Sequence, residues 1–349
     1  MSFGCSSTAG PAVTSATPFT MERRCNGRST SAARTWLNSS VAQVRIPAEG
    51  DATLVVGLAK REVRLTNLHK PFWPERGITK GMLIQYYADV ADVLLPHIRD
   101  RAMVMKRYPH GWSGEFFFMK RAPVPRPDWI RTCTISHGSG NVIDFPVIDD
   151  MASLLWVINL GCIDLNQWYA RCDDINRPDY VHFDLDPGPG ATFDQVRESA
   201  LHVRDALEDL KMKPLVKTSG SKGLHVYVPI VREPLQKTVW TFAKALAVTL
   251  ASRTPALMTS EYRKEKRPKG RVLVDYNQNR WGSTLASIYS VRPTPLATVS
   301  TPLEWSEVSG GVRIDDFRLD NVRERIAKVG DLWKPLIASS GRTDLGKFV

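Results

Sequence analysis

The 349-residue chain carries 47 Lys and Arg against 36 Asp and Glu, a formal charge of +11 with an isoelectric point near 9.5. Such a field favours polyanions, nucleic acid first, over a small neutral substrate. No apolar run approaches a membrane span. The odd set Cys5, Cys25, Cys133, Cys162 and Cys172, without C-x-x-C, excludes a zinc ribbon or a disulfide framework and points to a reducing cytoplasm.

Residues 1–50 are rich in Ser, Thr, Ala and Arg, with Glu22 and Glu49 the only acids, and read as a disordered basic tail. A single unit of two lobes is expected over 51–336, and a second short tail over 337–349. In the N-terminal lobe (51–165) strands are expected at Leu54–Val56, Glu62–Leu65, Met103–Tyr108, Glu115–Met119 and Val142–Phe145. One helix is expected from Thr79 on, with Met82, Leu83, Tyr86, Tyr87, Val90, Val93 and Leu94 on its apolar face. A short buried helix, Met151–Leu160, closes the lobe. Ser136–Gly140 reads as a hairpin turn.

The second lobe (166–295) has a more telling order. Strand Tyr180–Asp186 leads to a helix, Phe193–Leu210, opened by Thr192 and Gln195 at capping-box spacing. Strands Pro214–Thr218 and Leu224–Ile230, a helix Lys237–Ser252 and strand Arg271–Tyr276 follow. This is β-α-β-β-α-β, an α+β arrangement like ferredoxins and RNA-binding modules. Segment 296–336 adds C-terminal elements, with a strand before it at Leu285–Tyr289 and a last helix near Asp316–Val329.

In that topology the first strand is central. Asp184 and Asp186 leave it on one side, and Asp275 on the fourth strand shares their parity. His225 and Tyr227 on the third strand have one parity as well. Three carboxylates on neighbouring strands suit two hard divalent ions and phosphoryl or nucleotidyl transfer; the plain alternative is an exposed polar face. His182 shares the parity of Asp184 but reads as a packing residue.

The turn Thr218-Ser-Gly-Ser-Lys-Gly-Leu-His225 offers glycines for close approach, Ser219 and Ser221 as donors, and the charge of Lys222. It lacks P-loop spacing and joins two strands, so a plain hairpin is the alternative. Arg101–Arg126 sets six Lys or Arg against Glu115 alone and interleaves Tyr108, Trp112 and Phe116-Phe117-Phe118. That pattern suits single-stranded or gapped DNA, with at least one of the three phenylalanines expected inside. Arg263–Arg271 holds six more basic residues and reads as a solvated loop.

From about Leu65 to Leu336 the chain resembles the polymerase domain of bacterial ligase-D, in the archaeo-eukaryotic primase superfamily. The resemblance lies in His182-Phe-Asp-Leu-Asp-Pro-Gly188, Thr218–His225, Val274-Asp-Tyr-Asn-Gln-Asn279 and Tyr289-Ser-Val-Arg292. Thr66-Asn-Leu-His-Lys70 with Trp73-Pro74, Lys106-Arg-Tyr-Pro109 and Phe117-Phe-Met-Lys120 add to it. It implies a primase-polymerase fold and template-dependent nucleotidyl transfer with two Mn²⁺ or Mg²⁺ ions. Gapped or broken-end DNA and NTP or dNTP would be the substrates.

Carried over, Asp184 and Asp186 hold both metals and Asp275 completes the site toward the primer 3′-hydroxyl. Ser219, Ser221, Lys222, His225 and Arg292 meet the triphosphate, supported by Gln278. Phe117 and Phe118, beside Lys106 and Arg107, lie against template or base. Lys70 and Lys80 match lysines that hold a downstream 5′-phosphate. The chain departs from the family at Asp164, where many relatives carry a histidine near the sugar. No K-x-D-G ligase motif is present, so the resemblance implies a stand-alone, monomeric, nucleoid-associated polymerase working with Ku and a separate ligase. A metal-dependent nuclease and a non-catalytic RNA-recognition-like binder are the competing readings.

Overall fold

The computed structural model describes residues 34–37 (backbone only), 44–47, 52–58 and 60–348. The call for most of the 1–50 tail therefore lies outside the described residues. Two parts of that stretch do belong to the body. Arg34–Leu37 pairs in parallel with Thr53–Leu58, which forms a hairpin with Arg61–Thr66. Val44 is buried, and Gln85 clamps the segment by accepting from Ile46 N and donating to Val44 O. Described residues before the boundary expected at residue 50 thus pack with those after it.

The apolar run after Thr79 becomes two helices, Lys80–Asp89 and Ala91–Ile98, broken at Val90. Thr79 caps the first through its side chain and Met82 N, and Met82 itself faces solvent rather than the core. Asp150 caps the Met151–Asn159 helix in a reciprocal box with Ser153.

Two sheets matter for function. A four-stranded sheet runs in the order Leu285–Ala286, Cys162–Gln167, Met103–Arg107, Phe117–Met119. The second sheet is six-stranded, in the order Met258–Thr259, Val272–Asp275, Tyr180–Pro187, Leu224–Pro229, Leu215–Thr218, Pro302–Leu303. The first strand of the split βαβ unit, Tyr180–Pro187, lies between the fourth and third, as expected. Helices Phe193–Asp209, with its Thr192–Gln195 capping box, and Gln236–Arg253 cover the sheet. One apolar core runs from Val44 to Leu345, so residue 165 is not a break in packing. A smaller cluster lies under the Thr132–Ser136 and Val142–Pro146 hairpin, whose turn is the expected Ser136–Gly140.

Other boundaries move. Only Leu285–Ala286 of the expected 285–289 strand pairs, since Tyr289 takes φ +55° and turns the chain. The last long helix is Val322–Val329. Residues 337–349 are no free tail as far as described: Leu345 is buried, Thr343 bridges Ile230, and Arg342 donates to the carbonyls of Asp179 and Ile230.

Arg101, counted in the basic stretch, is internal. Its Nη2 sits 2.7 Å from both oxygens of Asp179, and its Nη1 donates to Tyr169 O. Among the described residues, the Asp179 carboxylate keeps one ion pair, with Arg171, if that guanidinium is removed. Arg101→Met is therefore expected to cost about 3 kcal/mol or more, read as a lower urea midpoint, whereas Lys222→Met should leave the midpoint unchanged.

Candidate active site

The register of the central strand builds the site. Asp184 stands opposite Asp275 on one neighbour and opposite His225 on the other. Directly paired antiparallel residues share a face, and Asp186, opposite Leu273, lies on that face too. Lys217 is opposite His225, and Tyr227 opposite His182, so they extend the same surface.

The carboxylates crowd one another. Burial, then the charge of Asp275, holds Asp184 up at about 7. Asp186 is also held at about 7, first by the charge of Asp184 and then by burial. Asp184 Oδ1 is buried without a hydrogen bond, although His225 Nε2 lies 3.2 Å away. The N–H is not aligned on that oxygen. Like charges with an oxygen left undonated fit a hard divalent cation. Asp275 is turned to its own turn: Oδ1 accepts from Asn277 N and Oδ2 from Gln278 Nε2. Among the described residues no three acids, histidines or cysteines close as a ready-made cage. Gln278 thus orients Asp275 rather than reaching the glycine-serine loop. Asn279 clamps the same turn to the central strand through both N and O of His182.

The 219–223 loop is held from within. Ser219 Oγ accepts from the amides of Ser221, Lys222 and Gly223, so its oxygen organises the loop and only its hydroxyl hydrogen is left to donate. Ser221 and Lys222 are exposed. A Cβ on Gly223 would lie 2.0 Å from Leu185 O, which is why the loop presses directly beside Asp186. Arg292 comes from the other side, with Nη1 donating to Ser219 O at 2.6 Å and Nε 3.3 Å from Asp164 Oδ2.

Asp164 itself is opposite Lys106 on the four-stranded sheet. That sheet also carries the aromatics. Phe116, Phe117 and Phe118 are all exposed, at 48%, 44% and 59%. The expected buried member is absent because Phe117–Met119 is a short edge strand and Phe116 leans on Tyr108. Lys106 Nζ lies 4.1 Å from the Phe116 ring centroid, and the Arg107 guanidinium covers Phe117.

Lys70 and Lys80 are brought together, with Lys80 N donating to Lys70 O. Their side chains differ. Lys70 is half-buried, whereas the Lys80 ammonium is buried and donates to Thr66 O and Asn159 Oδ1. Burial, then the charges of Lys70 and Arg107, lowers it to about 8. An ammonium has three donors, so one remains for an anion beside Lys70 and Arg107.

His182 is buried and stacked on Tyr227 at 5.1 Å, the packing role expected of it. Sequence reasoning missed Lys217, buried behind His225. Its parity with His225 was the available signal.

A split βαβ sheet with paired carboxylates beside a glycine-serine loop, tied through Lys217 and Arg292 to a second sheet that carries cations and aromatics, defines the primase-polymerase class. The family model for the LigD primase-polymerase domain matches residues 79–333. The chain belongs to that family. It is 35% identical over 284 residues to the multifunctional non-homologous end joining protein LigD of Mycolicibacterium smegmatis, covering 81% of this chain and 37% of that protein. The bifunctional non-homologous end joining protein LigD of Bacillus subtilis is 32% identical over 270 residues, 77% of this chain and 43% of its own length. The chain thus spans well under half of these relatives. The polymerase domain of Mycobacterium tuberculosis ligase D, solved with DNA, superposes with a TM-score of 0.74 at 34% identity, over 79% of this chain and 98% of that one.

The carboxylates set a pH dependence. Asp184 and Asp186, held near 7 when folded against 3.8 as the ordinary value, keep protons that the unfolded chain releases. Their contribution is present below about pH 4 and is lost as pH rises through about 7. The ion-free protein should lose melting temperature over that window. Mg²⁺ or Mn²⁺ should restore it, more at pH 8 than at pH 6, and Asp186→Asn should flatten the profile; scanning fluorimetry across pH checks both.

Proposed function

We propose that this chain adds nucleotides to a DNA 3′-end on a template, in gaps and at broken ends, as a primase-like polymerase. The register that sets Asp184 opposite both Asp275 and His225, with Asp186 beside the Ser219–Gly223 loop, carries this reading. Asp184, Asp186 and Asp275 would hold two divalent ions, Mg²⁺ or Mn²⁺. When bound, the ions neutralise charge on the triphosphate and favour the attacking 3′-oxygen.

The chain's own groups do the rest. The exposed Ser221 hydroxyl, Lys222, the Ser219 hydroxyl, His225 and Arg292 bind the triphosphate. Lys106, Arg107, Phe117 and Phe118 stack and neutralise the template strand. Lys70, with the remaining donor of Lys80 and with Arg107, takes a downstream 5′-phosphate. A nuclease would need no anion loop beside its carboxylates, which favours transfer over hydrolysis. No helix among the described residues is long and apolar enough to cross a membrane. A cytoplasmic, nucleoid-associated monomer acting with Ku and a separate ligase completes the proposal.

The test is extension of a labelled primer across a gap with each NTP or dNTP and either ion. Wild type should extend, and Asp186→Ala should lose at least roughly a thousandfold in rate with DNA affinity retained. Extension by a folded Asp186→Ala protein at the wild-type rate would overturn the two-ion assignment.

The end-recognition part has its own measurement. Gaps with a 5′-phosphate should bind more tightly than gaps with a 5′-hydroxyl, and Lys70→Ala should erase most of the difference. Lys80→Ala should instead lower stability as well, by about 1–3 kcal/mol, because Thr66 O and Asn159 lose a buried donor. Equal binding of both ends by wild type would remove the 5′-phosphate site from the proposal.

A further inference from the structure

We infer that the seam between the two sheets is a binding site for one internal water molecule, bridged by His97, Gln167, Tyr180 and Ser287. The site is independent of the polymerase reading.

These four side chains line a small cavity that Trp333 and Leu336 of the C-terminal segment help to close. It leaves about 10 Å³ for the centre of a water-sized sphere, room for one water and nothing larger. Each of the four is more than nine-tenths buried. Each also carries a buried polar atom with no hydrogen-bond partner among the described residues: His97 Nδ1, Gln167 Oε1, the Tyr180 hydroxyl and Ser287 Oγ. The Tyr180 hydroxyl lies near Gln167 without being aligned on it. Buried polar groups are rarely left unbonded, and four of them round one cavity point to a shared partner.

Distant parts of the chain supply the four groups. Gln167 ends one strand of the four-stranded sheet, and Ser287 N donates to Leu165 O of that strand. Tyr180 opens the central strand of the other sheet, on the face of Asp184 and Asp186 but at the opposite end. His97 comes from the Ala91–Ile98 helix, with its Nε2 2.9 Å from Asp331 Oδ2. The chemistry selects water. Gln167 Oε1 only accepts, the two hydroxyls give and take, and Nδ1 does either according to its proton; water answers all of these. An ion finds no free counter-charge in the wall. Arg101 is taken up by His97 O, Tyr169 O and Asp179, and Lys217 Nζ already has His225, Ala286 O and Ser300 Oγ. The water thus joins the acid-bearing sheet to the aromatic-bearing one and, through His97 and Asp331, to the C-terminal segment.

Stability reads the site through a sign. With the water bound, Ser287→Ala and Gln167→Met each remove one of its partners, and each should lower the melting temperature by about 2 °C. Without a water, the same changes delete a buried atom that bonds to nothing, and the melting temperature should hold or rise. The double variant should lose less than the sum of the two, because these side chains are coupled through the water. A melting temperature that holds or rises in either single variant, or strictly additive losses, overturns the site.

Crystals of the wild-type protein supply the direct arm, which decides the question even if a variant fails to fold. At a resolution that shows ordered solvent, density for one water should lie about 2.7–3.2 Å from at least three of the four atoms. Density within that reach of fewer than three, or side chains bonded to one another with nothing between them, overturns the proposal. A primer-extension assay has no bearing on either arm, so failure of the polymerase reading and failure of this one are told apart.

Discussion

The structure turns on one constraint, the double antiparallel register of the Tyr180–Pro187 strand. Its pairing sets Asp184 across from Asp275 and from His225 at once. A slip of one residue on either side would send a carboxylate to the helix-covered face. Several local features guard against that slip. Asn279 grips both backbone groups of His182, Gly223 lies against Leu185 O, and Gly188 N donates to Arg271 O. Register therefore sets a charge problem, two crowded acids on one surface, that a bound cation would resolve.

The second sheet supplies what the first lacks. Acids dominate the 184–186 face, whereas the four-stranded sheet carries Lys106 and Arg107 beside three exposed phenylalanines at and before its edge strand. The two are tied by polar groups rather than apolar ones alone. Lys217 reaches Ala286 O, and Arg292 stands between Asp164 and Ser219 O. Charge in this protein is also less superficial than its total of +11 suggests. Arg101, Lys80 and Lys217 are inside, each with named acceptors.

Much of this was legible in the residues. Period-two alternation in Tyr180–Asp186 and Val272–Asp275 placed the acids on one face, and Thr192 with Gln195 marked the start of the following helix. Alternation tells which face a side chain takes, not which partner the rest of the chain brings to it. Ser300 and Ala286 lie far along the chain from Lys217, so its parity with His225 could be read but not its enclosure. Ser219 was expected to serve a ligand, yet its oxygen caps three amides of its own loop. Lys80 was expected at a phosphate and Arg101 was counted in a DNA-binding stretch, because a sequence count cannot distinguish a solvated cation from one enclosed by carbonyls. Beyond the tail limits expected at 50 and 337, isolated apolar residues such as Val44 and Leu345 dock without any periodic pattern that a sequence reading could follow.

Arg292 has a thermodynamic consequence. Its guanidinium already lies against the Asp164 carboxylate and donates to a carbonyl of the loop. A polyphosphate that engages it exchanges one internal anion for another, instead of displacing a loose atmosphere of dissolved ions. Such an exchange releases few counterions, so affinity at this position should depend on ionic strength less steeply than the number of nearby cations implies. The exposed Lys222, on the same loop as Ser219, has no such acidic partner among the described residues and would carry most of the salt sensitivity.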